Sequence, residues 1–204
     1  MRIPTWIVAL LCLALPAAAM ADGDAQAGKA RAESAGCVAC HGTNGIATAS
    51  GLAIDKNVPN LAGEPTLYLQ FQLVFFRKGV RKNQLMSSMA AQLSDDDIRN
   101  LGAFYGSLPL PKMPVPPDDA PEATKLGEQA VHAMRCANCH GSQLEGLENM
   151  GRLAGQREAY LYKALTDFKS GQRMPTAAVS MAEILYPLDD TQLKAVAHYL
   201  SRLR

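Results

Sequence analysis

A five-residue pattern, Cys-x-x-Cys-His, occurs twice in this chain, as Cys37-Val38-Ala39-Cys40-His41 and as Cys136-Ala137-Asn138-Cys139-His140. What surrounds it repeats in step. Gly28 lies nine residues before Cys37, and Gly127 lies nine before Cys136. Leu61-Ala62-Gly63 follows the first copy and Leu153-Ala154-Gly155 the second, and each is followed by a Tyr-Leu pair, Tyr68-Leu69 and Tyr160-Leu161. Beyond these, Leu73 matches Leu165, Phe76 matches Phe168, Gly79 matches Gly171 and Arg81 matches Arg173. A chain duplicated in this way folds as two similar units, each of about ninety residues.

Each unit reads as helical. Leu69, Leu73 and Phe76 fall on one face of a helix, as do Leu161, Leu165 and Phe168, and these stripes are core packing. Ile98, Leu101 and Tyr105 form a second stripe, matched by Leu193, Val196 and Leu200. The last helix of each half opens on a capping-box pattern, Ser94 with Asp97 and Asp189 with Gln192. No alternating strand pattern is present. The predicted class is all-α: helix, Cys-x-x-Cys-His motif, loop, helix, loop, helix, twice over. Between the halves, Pro109 to Pro121 holds half of the 12 prolines. That stretch favours an extended linker. The expected division is 22–108, a linker at 109–121, and 122–204.

The motif has a chemical reading. Two thiols three positions apart can form thioether bonds to the two vinyl groups of one haem, and the adjacent histidine then coordinates the iron. Cys37, Cys40, Cys136 and Cys139 are the expected attachment points of two covalently bound haem c groups, with His41 and His140 as axial ligands. Two disulfides would be the alternative for an exported chain, but the flanking histidines favour haem. A shared zinc site is weaker, since each motif closes its own signature.

The fifth cysteine, Cys12, lies in a short apolar run, Trp6 to Leu15, that follows Arg2 and precedes Ala19-Met20-Ala21. This reads as a cleavable export signal over residues 1–21, an uncleaved anchor being the other reading. The run is short for a membrane span, so the expectation is a periplasmic chain without a transmembrane segment. Without Arg2, basic and acidic side chains balance. A nucleic-acid partner, which usually goes with a basic excess, is not expected.

The other axial ligand decides what such a centre does. An open position admits oxygen or peroxide; a methionine fills it and raises the potential. Candidates after the first motif are Met86, Met89 and Met113, and after the second Met150, Met174 and Met181. Aligning Leu93-Ser94-Asp95 with Leu188-Asp189-Asp190 places Met86 on Met181, whereas Met89 falls on Ile184 and Met174 on Gly79. Met86 and Met181 are therefore the expected ligands, with Met89 and Met174 next. His132 and His198 have no counterpart in the other half and read as surface or packing histidines.

Together the two motifs, the Leu-Ala-Gly segments with their Tyr-Leu helices and the methionine spacing resemble class I cytochrome c domains. More closely they resemble the tandem dihaem cytochromes of the c-four type. The resemblance covers the whole chain after the leader. It implies two helical cytochrome c domains related by a pseudo-twofold axis, with haems near each other across the interface. It also implies a first-helix glycine packed on a last-helix aromatic: Gly28 with Phe104 or Tyr105, and Gly127 with Tyr199. In this family a proline carbonyl supports the proximal histidine. Pro59 fits, but Gly151 stands at the matching place; its backbone carbonyl could still supply the bond to His140, though from a less constrained residue, and unequal potentials are expected.

Three functions compete. The leading one is an electron carrier, not an enzyme, working in the periplasm between redox proteins and often towards a terminal oxidase. The second is a haem subunit of a periplasmic dehydrogenase complex. The third, a dihaem peroxidase, needs one displaceable distal ligand, whereas both halves offer a methionine at the same place.

Overall fold

The computed structural model of the protein describes residues 23–47, 55–110, 115, 117–173 and 179–204. The leader with Cys12, and Met113 and Met174, lie outside the described residues. The first half contains α1 (Ala25–Ser34), α2 (Val38–His41), α3 (Thr66–Arg77), α4 (Gln84–Ala90) and α5 (Asp95–Ser107). The second repeats the order with α6 (Pro121–Ala133), α7 (Ala137–His140), α8 (Glu158–Lys169), α9 (Val179–Leu185) and α10 (Asp190–Arg202). Among the described residues there is no strand, only the isolated bridges Arg81↔Arg173 and Leu147↔Met150.

The helix starts follow from local chemistry. Asp24 accepts from the amides of Gln26 and Ala27 at the head of α1. The capping boxes expected at Ser94/Asp97 and Asp189/Gln192 are both formed, with each side chain bonded to the other's backbone amide. Asn83 caps α4 by accepting from Met86 N at 2.9 Å.

In each half the first and last helices cross closely, and glycine permits it. A β-carbon on Gly28 would strike the Asn100 carbonyl and stand 2.8 Å from Phe104 Cβ. One on Gly127 would strike the Ala195 carbonyl and stand 2.7 Å from Tyr199 Cβ. Around these crossings lie two separate cores. Leu69, Ile98, Leu101, Phe104 and Tyr105 pack in the first, with Leu73 partly buried at its edge. Leu161, Leu165, Leu193, Val196 and Leu200 pack in the second, with Phe168 at its edge. Burial of each such side chain contributes about 1.5–3 kcal/mol.

The connection is fastened at both ends. Leu110 lies over Gly63 of the first half, and Asp118 pairs with His198 (3.4 Å) and Arg202 (3.8 Å) on α10. The halves then meet through reciprocal contacts. Arg81 donates to the Tyr160 hydroxyl at 3.2 Å, and its repeat partner Arg173 donates to the Tyr68 hydroxyl at 3.0 Å. Each guanidinium also stacks on its own half's phenylalanine, Arg81 on Phe76 at 4.5 Å and Arg173 on Phe168 at 4.4 Å. Exchange of equivalent partners in this way is the contact pattern of a pseudo-twofold axis.

Candidate haem centres

Each Cys-x-x-Cys-His segment is one helical turn, closed by His41 N to Cys37 O and by His140 N to Cys136 O, both at 3.0 Å. A turn of helix brings positions i, i+3 and i+4 onto one side. Two thiols and the imidazole are thereby presented together. The chain leaves each turn through a glycine in the left-handed region, Gly42 at φ 76° and Gly141 at φ 88°. That conformation explains the glycine after each motif. Among the described residues no disulfide joins the four motif cysteines, as the haem reading expects.

The imidazoles are fixed from behind. His41 Nδ1 donates to the Pro59 carbonyl at 3.1 Å and His140 Nδ1 donates to the Gly151 carbonyl at 2.6 Å. Each ring therefore presents Nε2, with its lone pair, on the other side. Burial holds both imidazoles below their usual pKa, which favours the neutral form that can bind a metal. The backbone carbonyl of Gly151 thus takes the place of the missing proline's, at the shorter distance. The reason for glycine is spatial. A β-carbon at 151 would stand 2.7 Å from Cζ of the Tyr68 ring.

In front of His41 opens a cavity of about 630 Å³ whose wall includes Cys37, Cys40, His41, Met86, Met89 and Tyr105. Met86 and Met89 stand three positions apart on α4, and both reach it. In the second half Met181 lies on α9 and packs, partly buried, against the same core as Cys136. His132 is exposed. His198 is buried and held between Glu158 (3.2 Å) and Asp118 (3.4 Å), a packing histidine.

The cavity runs on to the interface between the halves, where Tyr68, Tyr160 and Arg173 also line it. Here the charge is uneven. Arg173, only 5% exposed, donates to Tyr68 and to Gln72 Oε1 (2.8 Å), and Arg81 donates to the same Gln72 oxygen (2.7 Å) and to Tyr160. The hydrogen-bond acceptors of both arginines among the described residues are neutral. Arg152 Nε and Nη1 are buried without a hydrogen-bond partner. Buried guanidinium groups placed so are suited to carboxylates. A haem brings two, so the donor set, the cavity and the cationic end fit that cofactor.

Comparison with known proteins agrees. Residues 124–204 match the family model described as cytochrome c. Residues 23–104 match the one described as cytochrome c oxidase, cbb3-type, subunit III. Cytochrome c4 of Pseudomonas aeruginosa is 32% identical over 95% of this chain and 96% of its own length. The crystal structure of reduced recombinant cytochrome c4 from Pseudomonas stutzeri superposes with a TM-score of 0.76 at 28% identity, covering 89% of this chain and all of that one. The chain belongs to the cytochrome c4 family. A protein named thiosulfate dehydrogenase electron acceptor, from Thiomonas intermedia, is 33% identical over 83% of this chain and 79% of its own.

As a member of the cytochrome c4 family, the protein is a dihaem electron-transfer cytochrome with two covalently bound haem c groups, a carrier and not an enzyme. Electron transfer implies redox partners. Among the described residues no helix is long and apolar enough to cross a membrane. Sequence reasoning missed the polar junction around Tyr68, Gln72 and Tyr160. The arginines it noticed only as a matching pair; their equal offset from the Tyr-Leu segments was the available signal.

Proposed function

We propose that Cys37 and Cys40 attach one haem and Cys136 and Cys139 the other, with His41 and Met86, and His140 and Met181, as the axial pairs. The iron, when bound, supplies a one-electron couple. The chain's own part is to hold it. Backbone carbonyls fix the His41 and His140 rings, the two cores would keep water away, and the sulfurs of Met86 and Met181 would hold the iron from the other side, so that little need move with its charge. The observation that carries this reading is the cavity before His41, which has the motif cysteines and the α4 methionines on its wall. The wider reading is a leader at 1–21 removed on export, domains at 22–108 and 122–204 joined by a linker at 109–121, and a periplasmic carrier passing electrons towards a terminal oxidase or another respiratory partner. Haem quantified per purified chain, with absorption spectra of the ferric form, tests it. Two covalent haems with the charge-transfer band of methionine-ligated iron are expected, and one haem per chain would overturn the assignment.

A second reading has a specific observation behind it. The similarity to an electron acceptor of thiosulfate dehydrogenase supports a carrier that takes electrons from a periplasmic dehydrogenase, bound to it or free. Mixing the oxidised cytochrome with such an enzyme and its substrate, and following haem reduction, separates this from a carrier that the enzyme cannot reduce.

A further inference from the structure

The repeat sets Leu61-Ala62-Gly63-Glu64 against Leu153-Ala154-Gly155-Gln156, so an acid and its amide occupy equivalent places. They meet across the interface. Gln156 Nε2 donates to Glu64 Oε1 at 3.2 Å, and Arg152 N donates to Glu64 Oε2 at 2.8 Å. Gln156 also exchanges two hydrogen bonds with the backbone of Asn60, at 2.8 and 2.9 Å. Both side chains are buried, Glu64 at 4% exposure and Gln156 at 3%. An amide at position 64 could accept the Arg152 bond but would turn its own N–H donors on Gln156 Nε2, whereas the carboxylate accepts from both. Unlike an amide, the carboxyl can also bind a proton.

Its position makes that capacity relevant. Glu64 lines the cavity before His41. Its partner Arg152 directly follows Gly151, whose carbonyl holds His140. Glu64 is therefore connected to the surroundings of both proximal histidines, by the cavity wall on one side and by Arg152 on the other, in a low-dielectric junction where one added electron is felt strongly. The groups facing it are Arg152 and Arg173 and the phenols of Tyr68 and Tyr160, with Arg81 beyond, acting on the phenols. Among the described residues none of the arginines comes close enough to make an ion pair with it.

We propose that Glu64 is a redox-linked proton site, taking up one proton from solvent when an electron enters the protein and releasing it when the electron leaves. The electron comes from the donor protein. The carboxylate becomes the acid by forming one O–H bond, and no other bond changes. The net buried charge is then the same in both redox states. Burial pushes the Glu64 carboxyl up to about 7, against the hydrogen bonds from Arg152 and Gln156 and the charges of Arg152 and Arg173. Near neutrality a modest field change thus shifts its protonation. The inference rests on the electron-carrier reading, and the experiment keeps the two apart.

Spectroelectrochemical titration of the holoprotein is run from about pH 5 to about pH 9, the range that brackets a perturbed carboxyl. The reduction equilibrium of one haem should weaken by up to tenfold per pH unit near neutrality, about 59 mV for one electron. Glu64→Gln should remove that slope and leave both spectra unchanged. Glu64→Asp should retain a slope. A flat profile in the parent protein overturns the proposal, and so does a slope that survives Glu64→Gln, which would place the proton elsewhere. In either case reversible reduction still upholds the carrier, and its absence would remove that reading instead. Should the glutamine variant not fold, redox-difference infrared spectra of the parent protein decide the matter. A protonated carboxyl band must grow on reduction, and its absence overturns the assignment.

Discussion

Gly151 lies against the ring of Tyr68 from the other half, too close for a β-carbon, and the same residue's carbonyl accepts from the proton-bearing nitrogen of His140. Packing between the halves and support of an iron ligand therefore meet in one residue. Gly151→Ala should weaken folding by about 1–3 kcal/mol, the range for overpacking, and shift the second haem's potential more than the first's. Denaturant unfolding and a redox titration read the two effects. Combining it with Tyr68→Ala should give a loss smaller than the sum of the single changes, because the clash is shared.

The helix crossings predict a reversal of ordinary propensity. Alanine in an exposed helix is better than glycine by about 1 kcal/mol. At Gly28 and Gly127 an added methyl meets a backbone carbonyl that cannot rotate aside. Gly28→Ala and Gly127→Ala should therefore destabilise by about 3 kcal/mol or more, seen as a lower unfolding midpoint. Equal or greater stability in either variant would contradict the crossing.

Ligand assignment rests on single substitutions. Met86→Ala and Met181→Ala should each open one haem to added imidazole or cyanide and abolish half of the methionine charge-transfer band. Met89→Ala should leave both haems closed. The opposite result for Met86 and Met89, which share the cavity wall, would exchange their roles.

Glu64 also ties stability to pH. Its carboxyl is raised from 4.5 to about 7 in the fold. The folded state thus binds the proton more tightly than the unfolded chain. The associated stability is fully present below about pH 4.5 and is lost as pH rises through about 7, on the order of 3 kcal/mol in all. Denaturation curves collected across this interval should show a decline that Glu64→Gln flattens. A parent protein equally stable across it would show that burial leaves this group unperturbed.

The junction arginine has a predictable sign. Positive charge favours the reduced, more negative state of a nearby centre. Arg173→Gln should therefore lower the potential of the haem beside it, with potentiometry as the measurement. An unchanged potential would mean that the 5% exposed guanidinium is screened from both centres.

Much of this was legible in the sequence because it depends on short-range rules. The motif spacing and the caps at Ser94 and Asp189 are each set within a turn of helix, whereas the glycine-to-aromatic crossings were expected from the family resemblance. The choice between Met86 and Met89 was made by alignment, and the fold brings both to the same wall. The junction was not legible. Tyr68 and Tyr160 stand one residue before the core stripes that open at Leu69 and Leu161, and nothing in a helical period tells which residue will face the other half. The reason for Gly151 was hidden too: the lost proline was visible and a backbone carbonyl could replace it, but the ring that requires the space comes from far away in the chain. Glu64 opposite Gln156 was visible as a difference between repeats, yet it acquires meaning only once burial is known.

The crossed arginine–tyrosine pairs have the form of an isologous contact, one surface recognising its own copy. In two separate molecules such a surface must be identical on both sides, so every substitution is made twice. A covalent tether, fastened here at Leu110 and at Asp118, removes that constraint and keeps the faces at high local concentration. One side can then carry an acid where the other carries an amide, and a proline where the other carries a glycine. Joining the halves allows an assembly of like parts to acquire a direction.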